Sequence, residues 1–429
     1  MTRIATLAAA TVWAQAAAIA LAAVAACTKP PAHSTTTPSD AAIGALADAV
    51  ARPPADAAVA RCGTSPGPAL AAGRAATAGI ALADGTILLA GWAAAGSWSL
   101  IYDPASGQMN EVAAPAGFAA IRMVRTADDA AVMLGAPDAV GPATHAARFD
   151  ADRKEWREVM AVPACATDDA PTLDDEFDVT AEPIALDDGS VLVVGHRCAV
   201  FLGGGGTWSR APTPPRQRRG FTLTRLRDGG VLRVGGLMTM PDDFDLAAST
   251  FVDRYDVAKR RWKAVAPAHY MRYHHSAVRL ADGRVLVVGG CEDSGTICHS
   301  EGRPAPPPEI YDPARDHWTV LGSAPVTNRE RAMLTALPDG RVIMLGGFVD
   351  ERGTLPPTAM FDRGRWGALP PLAADRAGEV TVAAGDHVLF GGGPIDVAPP
   401  LEWYGVAADC PTTPVELVPA PPPAGGSFP

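Results

Sequence analysis

The chain has 429 residues, 48% of them hydrophobic and 19% charged, which suits a folded body rather than a disordered one. Its 43 Gly and 40 Pro call for frequent turns and few long helices, and the length permits one large all-β unit as readily as several average domains. The formal charge of −11, with no Lys/Arg-rich block, excludes the basic footprint of a nucleic-acid binder.

In chain order, residues 1–26 read as an export signal, with Arg3 supplying the positive start and an apolar run from Ile4 to Ala26. Val24-Ala25-Ala26-Cys27 resembles the lipobox of bacterial lipoproteins, which implies cleavage before Cys27 and diacylation of its thiol. An uncleaved anchor or an ordinary signal peptide is the alternative. Acyl chains contribute about 0.8 kcal/mol per buried CH₂, so several chains hold a protein to a membrane without a spanning helix. No later segment is apolar enough to span a bilayer. Thr28 rather than Asp after Cys27 implies, by the same resemblance, the outer membrane of a Gram-negative host, facing the periplasm or the cell surface. Residues 27–60 are rich in Ala, Pro and Thr and read as a tether, and residues 411–429 as a Pro-rich, extended tail.

Between them, over residues 61–410, one pattern recurs: a short apolar strand, a turn often reading Asp-Gly, a run of β-formers, then Gly. Its registers are Asp84/Gly91, Asp128/Gly135, Asp188/Gly195, Asp228/Gly235, Asp282/Gly289, Asp339/Gly346 and Ala384/Gly391. Asp-Gly between hydrophobics signals a hairpin, because Gly accepts a positive φ without steric cost. The strands, such as Ser190-Val-Leu-Val-Val and Arg284-Val-Leu-Val-Val, are continuously apolar, as strands buried on both faces are. A second repeat follows each hairpin: Tyr102/Met109, Phe149/Trp156, Phe201/Trp208, Tyr255/Trp262 and Tyr311/Trp318, with Phe361/Trp366 shortened and Trp403-Tyr404 truncated. Turn formers such as Asp103-Pro104-Ala105-Ser106-Gly107 separate the pairs, so two hairpins make one four-stranded sheet.

Asp282-Gly-Arg-Val-Leu-Val-Val-Gly-Gly290, followed by Glu309-Ile-Tyr-Asp-Pro and Trp318, resembles the Kelch repeat, and the spacing of about fifty residues agrees with it. The resemblance implies an all-β, Kelch-type β-propeller of four-stranded blades, seven by the register count, with six as the competitor. Such a ring must pair its terminal segments or leave a sheet edge open. Residues near Cys62–Arg74 or Val415–Val418 are therefore expected to complete the last blade. Removing Cys27 from the seven cysteines leaves an even number, which fits an oxidising compartment. The spacing leaves the pairing open; the propeller reading favours Cys62 with Cys410 as a ring staple, Cys165 with Cys198, and Cys291 with Cys298.

Arg74, Arg218, Arg272 and Arg329 stand at one offset before the turn register, which in a Kelch-like propeller implies one mouth of the central channel. One reading is structural, the guanidinium bonding backbone carbonyls between blades; the other is an anion- or sugar-acid-binding mouth, with Arg216 and Arg219 adding charge. Tyr273-His274 lies where the galactose oxidase and glyoxal oxidase family, distantly similar in its propeller, carries Tyr-His copper ligands. The likeness stops there: Arg219-Gly220-Phe221 stands where those enzymes place a cross-linked tyrosine, and Phe cannot ligate copper. His275 reads as structural. Cys291 and Cys298-His299 allow a metal site but read better as a disulfide. The longest unit holds Asp168-Asp169 and Asp174-Asp175-Glu176 without calcium-cage spacing, which reads as a solvated acidic loop.

No serine elbow, phosphate loop or dinucleotide fingerprint is present. The expected protein is a monomeric, membrane-tethered binding module without catalytic residue, metal or cofactor, recognising a protein or a glycan through its loops. The alternative is an envelope enzyme acting on a sugar or sugar acid, with Arg218, Arg272, Arg329 and Tyr273 at the mouth.

Overall fold

The computed structural model describes residues 61–420, apart from 95, 116–118, 137–144, 160, 164–180, 197, 240–245, 293–304, 323–328, 330, 348–357, 373–379 and 392–399. Among the described residues the chain forms seven antiparallel blades, and a separate two-stranded ribbon of Leu237–Thr239 with Leu246–Ala248. The first blade contains Arg74–Ala81, Ile87–Ala93, Gly96–Tyr102 and Met109–Val112. The fourth contains Thr222–Arg225, Val231–Val234, Val252–Asp256 and Arg261–Ala264, and the fifth Ser276–Arg279, Val285–Val288, Glu309–Asp312 and His317–Val320. In the sixth, Met333–Ala336, Val342–Leu345, Thr358–Asp362 and Arg365–Leu369 pair in sequence order. The first strand of every blade touches the first strands of both neighbouring blades, which closes the ring.

Seven separate apolar clusters fill the seven seams between adjacent blades. The fifth and sixth blades, for example, join through Val278, Leu286, Ile310, Leu334, Met344 and Trp366. The first and last meet through Ile87, Leu89, Trp98, Val380, Leu389 and Trp403. Second strands such as Val191–Val194 and Val285–Val288 are buried at every position, as their unbroken apolar sequence requires. The repeated aromatic pairs face each other across the last two strands, with ring centroids 5.0 Å apart for Tyr311/Trp318 and 5.1 Å for Tyr255/Trp262. The indoles of Trp262 and Trp318 also reach backward to the preceding blade: Trp262 Nε1 donates to Pro212 O at 2.9 Å and Trp318 Nε1 to Ala266 O at 2.8 Å. The aromatic repeat thus joins blades as well as filling them.

The turns between first and second strands are tight. Gly283 takes φ +91° in its Asp-Gly turn, while in the second blade Asp129, which has no Gly at this place, takes φ +59° itself. Because strand directions alternate, these turns and those between third and fourth strands share one end of the ring. The segments joining second to third strands, and one blade to the next, emerge at the other. The strands ending at Val234, Val288, Val320 and Leu345 run out at this second end, here termed the loop face.

The last blade is completed from the N-terminal side. Cys62–Pro66 pairs with Glu402–Val406 as the fourth strand beside Val380–Ala384 and His387–Gly391. The Cys62–Cys410 disulfide, Cα–Cα 5.5 Å, covers this closure. Val415–Val418, the other expected closing segment, does not take that place. The chain beyond Cys410 instead crosses to the sixth blade, where Thr413–Pro414 pairs with its outermost strand as a fifth strand. Cys198 and Cys291 are also disulfide-bonded. Cys27, Cys165 and Cys298, and the acidic segment around Asp174, lie outside the described residues.

The staple should matter because it constrains a long unfolded loop. Cys62→Ser with Cys410→Ser is expected to lower the unfolding free energy by about 2–5 kcal/mol, read as a lower urea midpoint. An unchanged midpoint would show that strand pairing alone closes the ring.

Candidate functional site

The channel-mouth arginines fall into two groups. Arg74 opens the first strand of its blade, stacks 5.3 Å from the Trp98 ring centroid and pairs with the exposed Glu111 on the outermost strand. Arg218, Arg272 and Arg329 precede the first strands of the fourth, fifth and sixth blades and are almost wholly buried. Their guanidiniums are taken up by carbonyls of their own blade. Arg272 donates to Gly289 O and Pro307 O, both at 2.9 Å, and to the buried Glu309 Oε2 at 2.7 Å. Arg218 makes the corresponding bonds to Gly235 O, Phe251 O and the Asp253 carboxylate, and Arg329 donates to Gly346 O at 2.8 Å.

This corrects the expected direction of the tie. The side chain bonds within its blade, and the backbone carbonyl of the same arginine bonds to the blade before. Gly236 N donates to Arg272 O at 2.8 Å, and Gly290 N to Arg329 O at 3.1 Å. The approach explains the Gly-Gly pairs: a Cβ on Gly235 would lie 2.4 Å from Arg272 O. Three guanidiniums buried against carbonyls are not open to a ligand, so the sugar-acid mouth built on Arg218, Arg272 and Arg329 loses its binding groups.

The fourth blade carries one further cation. Arg233 stands where the fifth blade has Val287, is fully buried, and shares Asp253 with Arg218. Its guanidinium lies 4.4 Å from the Phe221 ring centroid. Burial draws the Arg218 guanidinium down to about 10 although Asp253 supports its charge. Burial, reinforced by the charge of Arg218, takes Arg233 well below its ordinary range.

Tyr273 is buried with Leu237, Ala248 and Cys291, and its backbone exchanges hydrogen bonds with Cys291 at 2.9 and 3.1 Å. The His274 ring stands beside it, centroids 4.7 Å apart, and the Arg331 Nη2 lies 3.1 Å from His274 Nε2. Among the described residues no group of three or more His, Cys, Asp or Glu is placed to hold a metal ion. His275 is buried, with its Nε2 2.9 Å from Thr222 Oγ1 of the preceding blade.

Sequence reading missed Asp253, Arg233 and Arg331, and saw Glu309 only as part of the repeat motif and not as a partner of Arg272. The two acids stand two residues before the repeat aromatics Tyr255 and Tyr311, and Arg331 stands after Arg329 as His274 stands after Arg272. Aligning the repeats position by position would have exposed all four.

Two consequences can be measured. Arg272→Met leaves the Glu309 carboxylate buried without its guanidinium and should cost about 3–5 kcal/mol of stability in urea unfolding. Arg272→Lys should not restore it, because one ammonium cannot span the two carbonyls and the carboxylate. His275 is held well below its ordinary pKa by burial and then by the charges of Arg272, His274 and Arg218. The folded state keeps it neutral while the unfolded chain binds a proton near pH 6.5. Its contribution is therefore full above about pH 6.5 and is lost below it, by at most about 1.4 kcal/mol per pH unit. His275→Gln should show a shallower loss of stability than the parent protein when unfolding is followed downward from neutral pH.

No protein-family model matches the chain. Among curated proteins it is 27% identical over 187 residues to Kelch-like protein terF of Aspergillus terreus, covering 40% of this chain and 39% of that one. It is 26% identical over 154 residues to α-scruin of Limulus polyphemus, covering 34% and 16%. It is 31% identical over 224 residues to an F-box/kelch-repeat protein of Arabidopsis thaliana, covering 49% and 60%. The matches thus span less than two thirds of each relative's own length. Among solved structures, a fungal alcohol oxidase of the AA5 family in complex with copper superposes with a TM-score of 0.50 at 15% identity, covering 76% of this chain and 84% of the other. A catalytically inactive virginiamycin B lyase from Staphylococcus aureus with quinupristin gives a TM-score of 0.53 at 10% identity, covering 79% and 98%. At these identities the two structures speak for the fold alone. Seven blades in a closed ring, repeating Asp-Gly, Gly-Gly and Tyr/Trp marks, and the likeness to Kelch-repeat proteins together show the fold of a Kelch-type β-propeller.

Proposed function

We propose that this propeller is a membrane-tethered, extracytoplasmic module that binds a protein partner through its loop face. The observation that carries the reading is the asymmetry of the ring. One end consists of tight turns, whereas the long sequence separations from Val234 to Val252, Val288 to Glu309, Val320 to Met333 and Leu345 to Thr358 start and finish at the other. Loops raised on a rigid scaffold are where recognition is usually placed. Two of the disulfide-bonded cysteines, Cys198 and Cys291, stand at this end, the first just before a third strand and the second just after a second strand. Bonds of that kind persist in an oxidising compartment, which supports export.

The tether rests on Val24-Ala25-Ala26-Cys27. Among the described residues no helix is long and apolar enough to cross a membrane. A protein partner is favoured over a glycan by the likeness to Kelch-repeat proteins, whose propellers commonly bind proteins.

The test has two arms in the native host. Cys27→Ser should move the protein from the membrane fraction to the soluble one, and a variant that stays membrane-bound overturns the anchor. A photo-crosslinking residue at His269, on the loop face, should capture a partner that the same residue at Arg315, in a turn of the opposite end, does not. Capture from Arg315 alone, or equally from both, overturns the choice of face.

A further inference from the structure

In the five other blades that carry an Asp at the first turn, the fifth residue after it lies in the seam with the preceding blade. It is apolar in all five: Leu89, Met133, Val193, Val287 and Met344, each at most 1% exposed. In the fourth blade that residue is Arg233, which is just as buried. It points toward the third blade, on the same side of its strand as Val231, and lies over the Phe221 ring. The fold does not call for a cation at this place, since five blades close their seams without one.

The surroundings do not balance its charge. Asp253 is the one carboxylate that Arg216, Arg218 and Arg233 pair with among the described residues. Its Oδ2 accepts from Arg218 and lies 3.6 Å from Arg233 Nη1, while its Oδ1 lies 4.0 Å from Arg216 Nη1. The side chains of Arg218, Arg233 and Asp253 are fully buried, so two positive charges are enclosed with one negative. The partly exposed Arg216 adds a third cation at the edge. The fifth blade has no such excess, because Glu309 matches Arg272 and Val287 stands in place of the second arginine. The carbonyls of Arg216 and Arg218, 3.0 and 3.4 Å from the Arg233 guanidinium, satisfy donors but carry no net charge. A buried ion without a counter-charge is strongly disfavoured.

Donors for a counter-charge are at hand. The Nε atoms of Arg218 and Arg233 are buried and have no hydrogen-bond partner among the described residues. Arg272 Nε is buried and unbonded too, but on a guanidinium already balanced by Glu309. Only the fourth blade joins open donors to surplus charge. Because these groups are enclosed, a carboxylate or phosphate carried on a larger molecule is excluded, and a small anion with no chain attached is suited. We infer that the seam between the third and fourth blades binds a chloride ion, held by the Nε–H groups of Arg218 and Arg233 and balancing the charge that Asp253 leaves over. The site is separate from the loop-face reading above and stands or falls without it.

The experiment follows thermal unfolding of the mature protein in sodium chloride, sodium bromide and sodium gluconate at equal ionic strength. Chloride and bromide should raise the melting temperature by several degrees over gluconate, which is too large to enter. The rise should continue with the logarithm of halide concentration, as ligand linkage requires. Arg233→Val, which installs the residue of the fifth blade, should melt at the same temperature in all three salts. A crystal of the parent protein grown in bromide should show an anomalous peak within hydrogen-bond distance of Arg218 Nε and Arg233 Nε, a readout that needs no variant. Equal melting of the parent in the three salts would overturn the inference. So would a halide effect kept in full by Arg233→Val, or a bromide crystal with no peak beside the two arginines.

Discussion

The second strand of each blade is apolar toward both sides, and that constraint governs the rest of the molecule. Val191–Val194, Val285–Val288 and Val342–Leu345 are each buried along their whole length. A sheet of this composition has no face to turn to water and is stable only with a neighbour on either side. A row of such sheets would always end in two open apolar faces. The closed ring removes both, and each seam acquires its own apolar cluster.

Closure in turn determines how the chain must begin and end. The strand that completes the seventh blade comes from the start of the ring, so the last sheet is held by residues distant in sequence. Loop-closure entropy opposes such contacts. The Cys62–Cys410 disulfide lies at this junction, across a sequence separation of 348, where a covalent link removes the most freedom from the unfolded chain. The segment that leaves Cys410 adds Thr413–Pro414 to the outer edge of the sixth blade, covering part of an edge that would otherwise remain unpaired.

A polar layer sits at the loop-face ends of the fourth to sixth blades, above the apolar seams. Buried charge is tolerated there because each guanidinium has several acceptors at once, as Arg272 has two carbonyls and Glu309. The arginine side chain holds its own blade and its carbonyl holds the preceding one, so a single residue fixes both the mouth and the seam. That framework positions Gly220, His274 and Arg331 next to one another.

The propeller was legible in the sequence because its marks are local: Asp-Gly turns, unbroken apolar strands and Tyr/Trp pairs each depend on a few adjacent residues, and their recurrence counts the blades. The candidate site was half legible. The recurrence of Arg218, Arg272 and Arg329 was visible, but whether a guanidinium faces a ligand or a carbonyl depends on the path of the chain seventeen and more residues later, which spacing does not reveal. Residue order alone therefore determined the repeat, its period and the residue types at the mouth. The tertiary structure decided which strand closes the ring, which arginines are buried, and that Arg331 lies over His274. These contacts arise from the curvature of seven packed sheets, a property of the whole ring that no single repeat contains.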